Sequence, residues 1–348
     1  MSIPNKTREY RLPKVDGFHN LTLTSSPIPP LKATEVLVKV HAVSLNYRDL
    51  VIAQGTYPGE RKDNVVPGSD LAGQIAALGA EVAAAGWAVG DRVSANFSVD
   101  YVFGEPSAES RASGLGAPID GVLTEYKVLP AHALVRIPEH LSYEEASTLP
   151  CAAVTAYNAF LGLHPLKGGD TVLVQGTGGV SIFGLQIAVA SGATVIVTSS
   201  SDEKLKVAKA LGATHTINYK TTPNWDEEAL KITNGRGVDH ILEVGGAGTI
   251  MKSVNAIRFG GTISIIGFVA GQADVSSLPL QVLSKGAIVR GILVGAREQF
   301  EDLNRLIAAV KLKPVVDKVF AFEDVCKAYE YQQSQKHFGK VVVKVSKD

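Results

Sequence analysis

The stretch VLVQGTGGVSIFGLQIA, Val172 to Ala188, joins an apolar β-like run to a glycine-rich turn and then to a segment of helical period. Gly176, Gly178 and Gly179 let the backbone turn tightly and approach a pyrophosphate, whose charge then sits on the free amides that open a helix. With Thr177 and Val180 they make the phosphate loop of a dinucleotide site. Ser181 stands where the third glycine of a G-x-G-x-x-G pattern would be, yet strand, turn and helix follow in the order the motif requires.

Working outward, strands and helices alternate. Strands are predicted at Asp170–Gln175, Ala193–Thr198, Thr214–Tyr219, Val238–Val244, Thr262–Gly267 and Ala287–Leu293, with helices at Gly179–Ser191, Asp202–Leu211 and Trp225–Thr233. Apolar strands with amphipathic crossovers of this length imply a doubly wound parallel sheet covered on both faces. The end of the second strand bears on which dinucleotide is held. An NAD site wants an acid there for the ribose 2′-hydroxyl, whereas this chain has Thr198, Ser199, Ser200 and Ser201, with Lys204 one turn later. That pattern favours the 2′-phosphate of NADP. Asp202 argues the other way, although it equally suits a helix N-cap.

The first part of the chain has another texture. From Leu12 to about Pro150 short strands, among them Thr34–Val43, Val89–Ala95 and Leu123–Leu129, are punctuated by turn residues and suggest a β-rich, barrel-like domain. Gly79–Ala88 reads as a loop. The tail, with helices at Glu298–Val310 and Phe322–Gln333 and a strand in Gly339–Val345, follows a sheet that is already complete and is expected to pack on the first domain.

A chain of 348 residues, 45% of them hydrophobic, is expected to hold two domains. Lys plus Arg and Asp plus Glu both number 34, so no net field favours nucleic acid or an anionic membrane, and a small-molecule substrate is the expected partner. No apolar run approaches the ~18 to 20 residues of a membrane span, and no secretory leader is evident. Two cysteines, Cys151 and Cys326, suit a reducing cytoplasm.

The segments VVPGSDLAGQIAALG, GDRV, GTGGV, SSSDEKL, LGATHTINY and HFGKVVVKV together resemble the medium-chain dehydrogenase/reductase superfamily, most closely its zinc-independent branch related to quinone oxidoreductases. The resemblance runs from about Leu12 to Val345. It implies an α/β chain with a GroES-like catalytic domain, residues 1–153 and 294–348, and a Rossmann NADP-binding domain, residues 154–293. It also implies a homodimer. Ser200, Lys204 and Tyr219 match the pattern with which NADPH-using relatives hold the 2′-phosphate. The resemblance further assigns Thr155, Gly267 and Phe268 to the nicotinamide, Val244 and Gly245 to the adenosine ribose, and Phe338 and Gly339 to the cofactor side of the tail.

Zinc-dependent relatives carry a Cys where this sequence has Asn46, a His-Glu pair at Ser69-Asp70 and a further ligand at Cys151. One thiol cannot supply the three protein ligands of a catalytic zinc, and the eight histidines show no ligand spacing, so no metal is expected. Cys151 reads as a packing residue. In enoyl-reductase relatives a Tyr in a G-x-Y-P turn is the proton donor or oxygen binder, and Tyr57 stands there, eleven residues after Asn46. A phenol carries its proton at neutral pH and can give it to an enolate or alkoxide. Tyr57 and Asn46 are therefore the catalytic candidates, Asn46 also as a cofactor contact; packing of a turn and support of the backbone are their alternatives. Arg48 and Asp49 are expected to pair or be solvated at the strand end, and Val99–Pro118 to form a lid or an oligomer contact.

The activity expected is NADPH-dependent hydride transfer to an activated C=C or a quinone. A zinc-independent carbonyl reductase or alcohol dehydrogenase is the alternative reaction. A catalytically idle NADPH-binding protein is the alternative of another class.

Overall fold

A computed structural model of the chain describes residues 3–346. Its strands are, in chain order, β1 (Lys6–Arg11), β2 (Thr22–Pro27), β3 (Glu35–Leu45), β4 (Asp70–Leu78), β5 (Arg92–Ala95), β6 (Tyr126–Pro130), β7 (Leu134–Arg136), β8 (Thr171–Gln175), β9 (Thr194–Ser199), β10 (His215–Asn218), β11 (Val238–Glu243), β12 (Ile257–Ile265), β13 (Ile288–Gly291), β14 (Val316–Ala321) and β15 (Lys340–Lys344). Two compact units result: one runs to Val154 and resumes at Gly295, the other is Thr155–Val294.

The second unit is built on six parallel strands in the order β10-β9-β8-β11-β12-β13. Val172–Val174, Val195–Val197, Ile241 and Leu242 are buried, as strands covered on both faces must be. The order reverses between β8 and β11, which marks the carboxyl ends of these two strands as the ligand edge. A Cβ on Gly184 would stand 2.4 Å from Leu242 Cδ2, so this glycine lets the helix Gly179–Ala190 lie close against β11. Ser181 instead donates its hydroxyl to the Gln175 carbonyl at 2.7 Å, tying the helix to the end of β8. Close helix–strand packing, the task of a third fingerprint glycine, thus falls to Gly184. β12 starts at Ile257, before the predicted Thr262, because Gly260 and Gly261 interrupt the apolar run while the strand continues through a register shift against β11.

In the first unit β3 is central. β4 lines one edge; β6 pairs with its N-terminal half and β15 with Ala42–Leu45 on the other edge. β14 runs parallel to β15, and its consecutive polar, exposed positions, without alternation, concealed it in the sequence. The core gathers Leu12, Val38, Leu45, Ile52, Leu71, Leu115, Leu123, Tyr329 and Val343. The segment expected as a lid or oligomer contact holds a short helix, Ala108–Ala112, and is anchored: Tyr101 and Leu115 are buried, and the Tyr101 and Val102 carbonyls accept from the amides of Arg297 and Glu298 at 2.9 and 3.1 Å. Only its middle, around Phe103, is strongly exposed.

Candidate active site

The phosphate loop occupies the carboxyl end of β8. Gly176 has φ +75° and donates its amide to the Thr198 carbonyl at 2.8 Å, a left-handed turn that favours glycine on conformational grounds. Gly178 differs. Its φ of −79° suits any residue, and a Cβ placed there would meet no atom within 4 Å. Neither backbone nor packing demands glycine at this point, which opens the helix Gly179–Ala190 onto empty space. Free amides and a missing side chain fit the pyrophosphate of a dinucleotide.

The neighbouring strand ends assemble the second cluster. Tyr219 donates its amide to the Ser199 carbonyl at 3.0 Å, which brings Ser199, Ser200, Lys204 and the exposed Tyr219 to the ends of β9 and β10. The helix Asp202–Ala210 is capped by Ser201, whose Oγ accepts from the Lys204 amide at 3.3 Å, and not by Asp202. Asp202 lies in the first turn, where its carboxylate accepts from Asn218 Nδ2 at 2.8 Å. Asp202 therefore already has a partner on β10.

Two residues that sequence reading passed over shape the rest of this edge. Glu243 is fully buried; its carboxylate accepts from the Gly245 and Gly246 amides, both at 2.9 Å, from Gln175 Nε2 at 2.7 Å, and from the Thr249 and Ser253 hydroxyls. Gln175 Oε1 in turn accepts from the Val244 and Gly245 amides at 3.2 Å. An acid as the last residue of a strand, with Gln as the last residue of its neighbour, was the available signal. The loop so formed packs on the next one: a Cβ on Gly267 would stand 2.5 Å from the Val244 carbonyl, and the Ala270 amide donates to the Gly245 carbonyl at 2.9 Å. Phe268 is exposed rather than a core aromatic, and Thr155 is buried in the helix Val154–Ala159.

In the first unit the polar cluster after β3 opens a helix, Tyr47–Ala53, that sequence reading missed; Asp49 accepts from the Asn46 amide at 2.8 Å. Of the two expectations for Arg48 and Asp49, pairing is the one met: Asp49 is buried and Arg48 half-buried beside it. The Arg48 guanidinium lies 5.0 Å from the Tyr57 ring centroid and 4.6 Å from that of Phe97, donates to the Leu115 carbonyl at 2.9 Å and pairs with Asp49 at 3.8 Å. Burial pushes the Asp49 carboxyl up to about 6, against the pull of Arg48 and the Asn46 amide. Tyr57 itself is half-buried against the core.

Asn46 belongs to a second chain of contacts. Lys340, buried at the start of β15, donates to Asn46 Oδ1 and, at 2.6 Å, to the Leu45 carbonyl. Asn46 Nδ2 reaches Ser69 Oγ at 3.4 Å, Ser69 donates to Asp70 Oδ1 at 2.6 Å, and Asp70 Oδ2 accepts from the Cys151 amide at 3.1 Å. Both ends of the Asn46 amide are thus engaged within the chain. Burial raises the Asp70 carboxyl, with Lys340 foremost among the groups that oppose it, and burial pushes the Cys151 thiol up to about 12. A zinc ion needs three ligands, the sulfur as thiolate. An amide and a carboxylate already committed, a hydroxyl and a protonated thiol do not fit it. Among the described residues no group of three His, Cys, Asp or Glu side chains is arranged to hold a metal. Phe338 is buried, and Gly339, at φ +74°, would place a Cβ 2.5 Å from the Val315 carbonyl, so the fold itself demands that glycine.

With this geometry in hand, comparison places the chain. Residues 32–139 match the family model of the alcohol dehydrogenase GroES-like domain and residues 179–309 that of the zinc-binding dehydrogenases. A zinc-type alcohol dehydrogenase-like protein of Schizosaccharomyces pombe is 51% identical, with 95% of this chain and 97% of that one aligned. The human quinone oxidoreductase is 28% identical over 93% of each chain. Among solved structures, a Sinorhizobium meliloti protein described as a candidate alcohol dehydrogenase superposes with a TM-score of 0.91 at 40% identity, covering 99% of this chain and 100% of that one. An NAD-dependent alcohol dehydrogenase gives 0.86 at 31%, over 97% and 100%. The protein is an oxidoreductase of the medium-chain dehydrogenase/reductase superfamily, with a GroES-like domain and a Rossmann-type domain.

Proposed function

We propose that the protein is an NADPH-dependent, zinc-independent reductase of an activated C=C, in an enone or enoyl compound, or of a quinone. The observation that carries the cofactor reading is the end of β9, where Ser199, Ser200, Lys204 and Tyr219 are brought near one another and both neighbouring acids are engaged, Asp202 by Asn218 and Glu203 by the Ser201 hydroxyl. A bound NADPH supplies the hydride. The chain's own part is to seat the pyrophosphate on the amides of Gly178–Val180, to hold the loops at Val244 and Gly267 through Glu243, and to donate a proton from Tyr57. Without a Lewis acid, acceptors already polarised by conjugation are favoured. The human relative's name, quinone oxidoreductase, agrees with this class.

The alcohol-dehydrogenase names of other relatives support the competing reaction, carbonyl reduction, and one of them is NAD-dependent. Oxidation of NADPH and NADH followed with a panel of enones, quinones and aldehydes separates the readings. Turnover is expected with NADPH and conjugated acceptors. Preference for simple aldehydes would select the competing reaction, and tight NADPH binding without turnover on any acceptor would sink the enzymatic one. Lys204→Ala is expected to weaken NADPH binding ten- to a hundredfold, about 1.4 to 2.7 kcal/mol, and to leave NADH nearly unchanged. Equal losses in a fluorescence titration would contradict the phosphate assignment.

A homodimer in the cytoplasm completes the proposal. β13 has a strand neighbour on one side only, and exposed Leu280 and Leu283 on the helix before it and Leu293 after it leave apolar surface beside that edge. Light scattering is expected to give twice the chain mass and Leu283→Glu to reduce it; a monomeric parent protein would contradict this. Both cysteines are free thiols, as a reducing compartment allows, and no helix among the described residues is long and apolar enough to cross a membrane.

A further inference from the structure

The polar chain through Asn46 has a charge at each end and draws on four elements. Lys340 enters from β15, Asn46 from the end of β3, Ser69 and Asp70 from the start of β4, and the Cys151 amide from the turn of π-helix at Leu149–Ala153. Lys340, Asn46, Ser69 and Asp70 are all buried. A buried carboxylate needs a compensating positive charge as well as hydrogen bonds. Asp70 accepts from the Ser69 hydroxyl and the Cys151 amide and is also favoured as a carboxylate by the Asn46 amide, and all of these groups are neutral. Its nearby cation is Lys340, reached through Asn46 and Ser69.

We propose that the Lys340 ammonium takes the place of a metal ion here: it supplies the positive charge that keeps Asp70 buried as a carboxylate, and the intervening Asn46 and Ser69 close the site to divalent cations. The orientation of the Asn46 amide follows from this. Its oxygen faces an ammonium, which can only donate, and its nitrogen faces Ser69, whose own proton is given to Asp70. A divalent cation would have to displace Lys340 from Asn46 and strip the proton from Cys151. Asn46 is accordingly a positioning residue, which holds two charges in register at the point where β3 turns into the helix that carries Arg48.

The inference concerns the first unit alone and stands whichever acceptor is reduced. It is tested on the full chain by a thermal-unfolding cycle and by metal analysis. Lys340→Met is expected to lower Tm by roughly 6 to 15 °C, because it strands Asp70. Asp70→Asn in the Lys340→Met background is expected to recover at least half of that loss, and Lys340→Arg to recover part of it. If Lys340→Met does not fold, the double variant is still expected to fold, as rescue requires. Additive losses in the double variant, or failure of both to fold, overturn the proposal. Protein purified with zinc added and then desalted is expected to carry under about 0.1 equivalent of zinc. Stoichiometric zinc, removed by a chelator with a fall in Tm, overturns both this inference and the metal-free reading of the activity; additivity without zinc overturns the inference only.

Discussion

Replacing Tyr57 by Phe is expected to lower kcat for an enone by about a hundredfold or more, the usual worth of a positioned general acid, while the Kd for NADPH changes less than twofold. The ring would remain, and with it the contact 5.0 Å from the Arg48 guanidinium, so stability should fall by less than about 1 kcal/mol. The split between turnover and affinity is the signature of a group that acts on the reacting substrate. A second comparison sharpens it. Hydride addition to an enone leaves a strongly basic enolate, whereas addition to a quinone leaves a much less basic hydroquinone anion that needs little help from an acid. The loss should therefore be large with enones and several-fold smaller with quinones. Steady-state rates with both acceptors check this, and an unchanged enone rate would return Tyr57 to packing the turn. Arg48 lies between the Tyr57 and Phe97 rings and is fastened to the Leu115 carbonyl, so Arg48→Met should loosen the phenol and lower kcat as well.

The contrast between Asn46 and Gly178 shows what the sequence could carry. The parallel sheet was readable because its inner strands are buried on both faces and each crossover has its own period. The glycine-rich turn was readable because conformation and ligand approach both restrict residue type. The polar run at Asn46–Asp49 was not, because a capped helix and a solvated strand end use the same residues; what distinguishes them is the Asp49 carboxylate folding back onto the Asn46 amide, a local contact that composition does not announce. Lys340 escaped notice for a different reason. It sits in KVVVK, where alternation predicts an exposed lysine, and its buried ammonium is met by the Leu45 carbonyl and Asn46, nearly 300 residues away in the chain. Glu243 likewise acquires its meaning from Gln175 and from amides that face it only after the sheet has formed. Local pattern reports faces and periods. Charge compensation between distant segments is a property of the assembled unit.

Gly178→Val is the converse experiment, a change that should leave the fold intact and remove the cofactor. The backbone at Gly178 is extended, at φ −79° and ψ −174°, which a β-branched residue adopts without strain, and a Cβ there would touch nothing in the chain. Tm of the cofactor-free protein should hence change by no more than about 2 °C, or rise slightly through the lost freedom of the unfolded glycine. The branched side chain would project into the space before the first helical amides and keep a pyrophosphate from reaching them. Affinity for NADPH and NADH should fall together by at least a hundredfold, about 2.7 kcal/mol, in contrast to Lys204→Ala, which discriminates between them. Gly184→Val should do the opposite: its Cβ would meet Leu242 at 2.4 Å, so the variant should unfold at lower temperature whether or not cofactor is present. Calorimetry and titration on the two variants read these effects separately. A Gly178→Val protein that bound NADPH normally would remove the loop from the cofactor site, and one that lost stability without cofactor would mean that this glycine serves the fold.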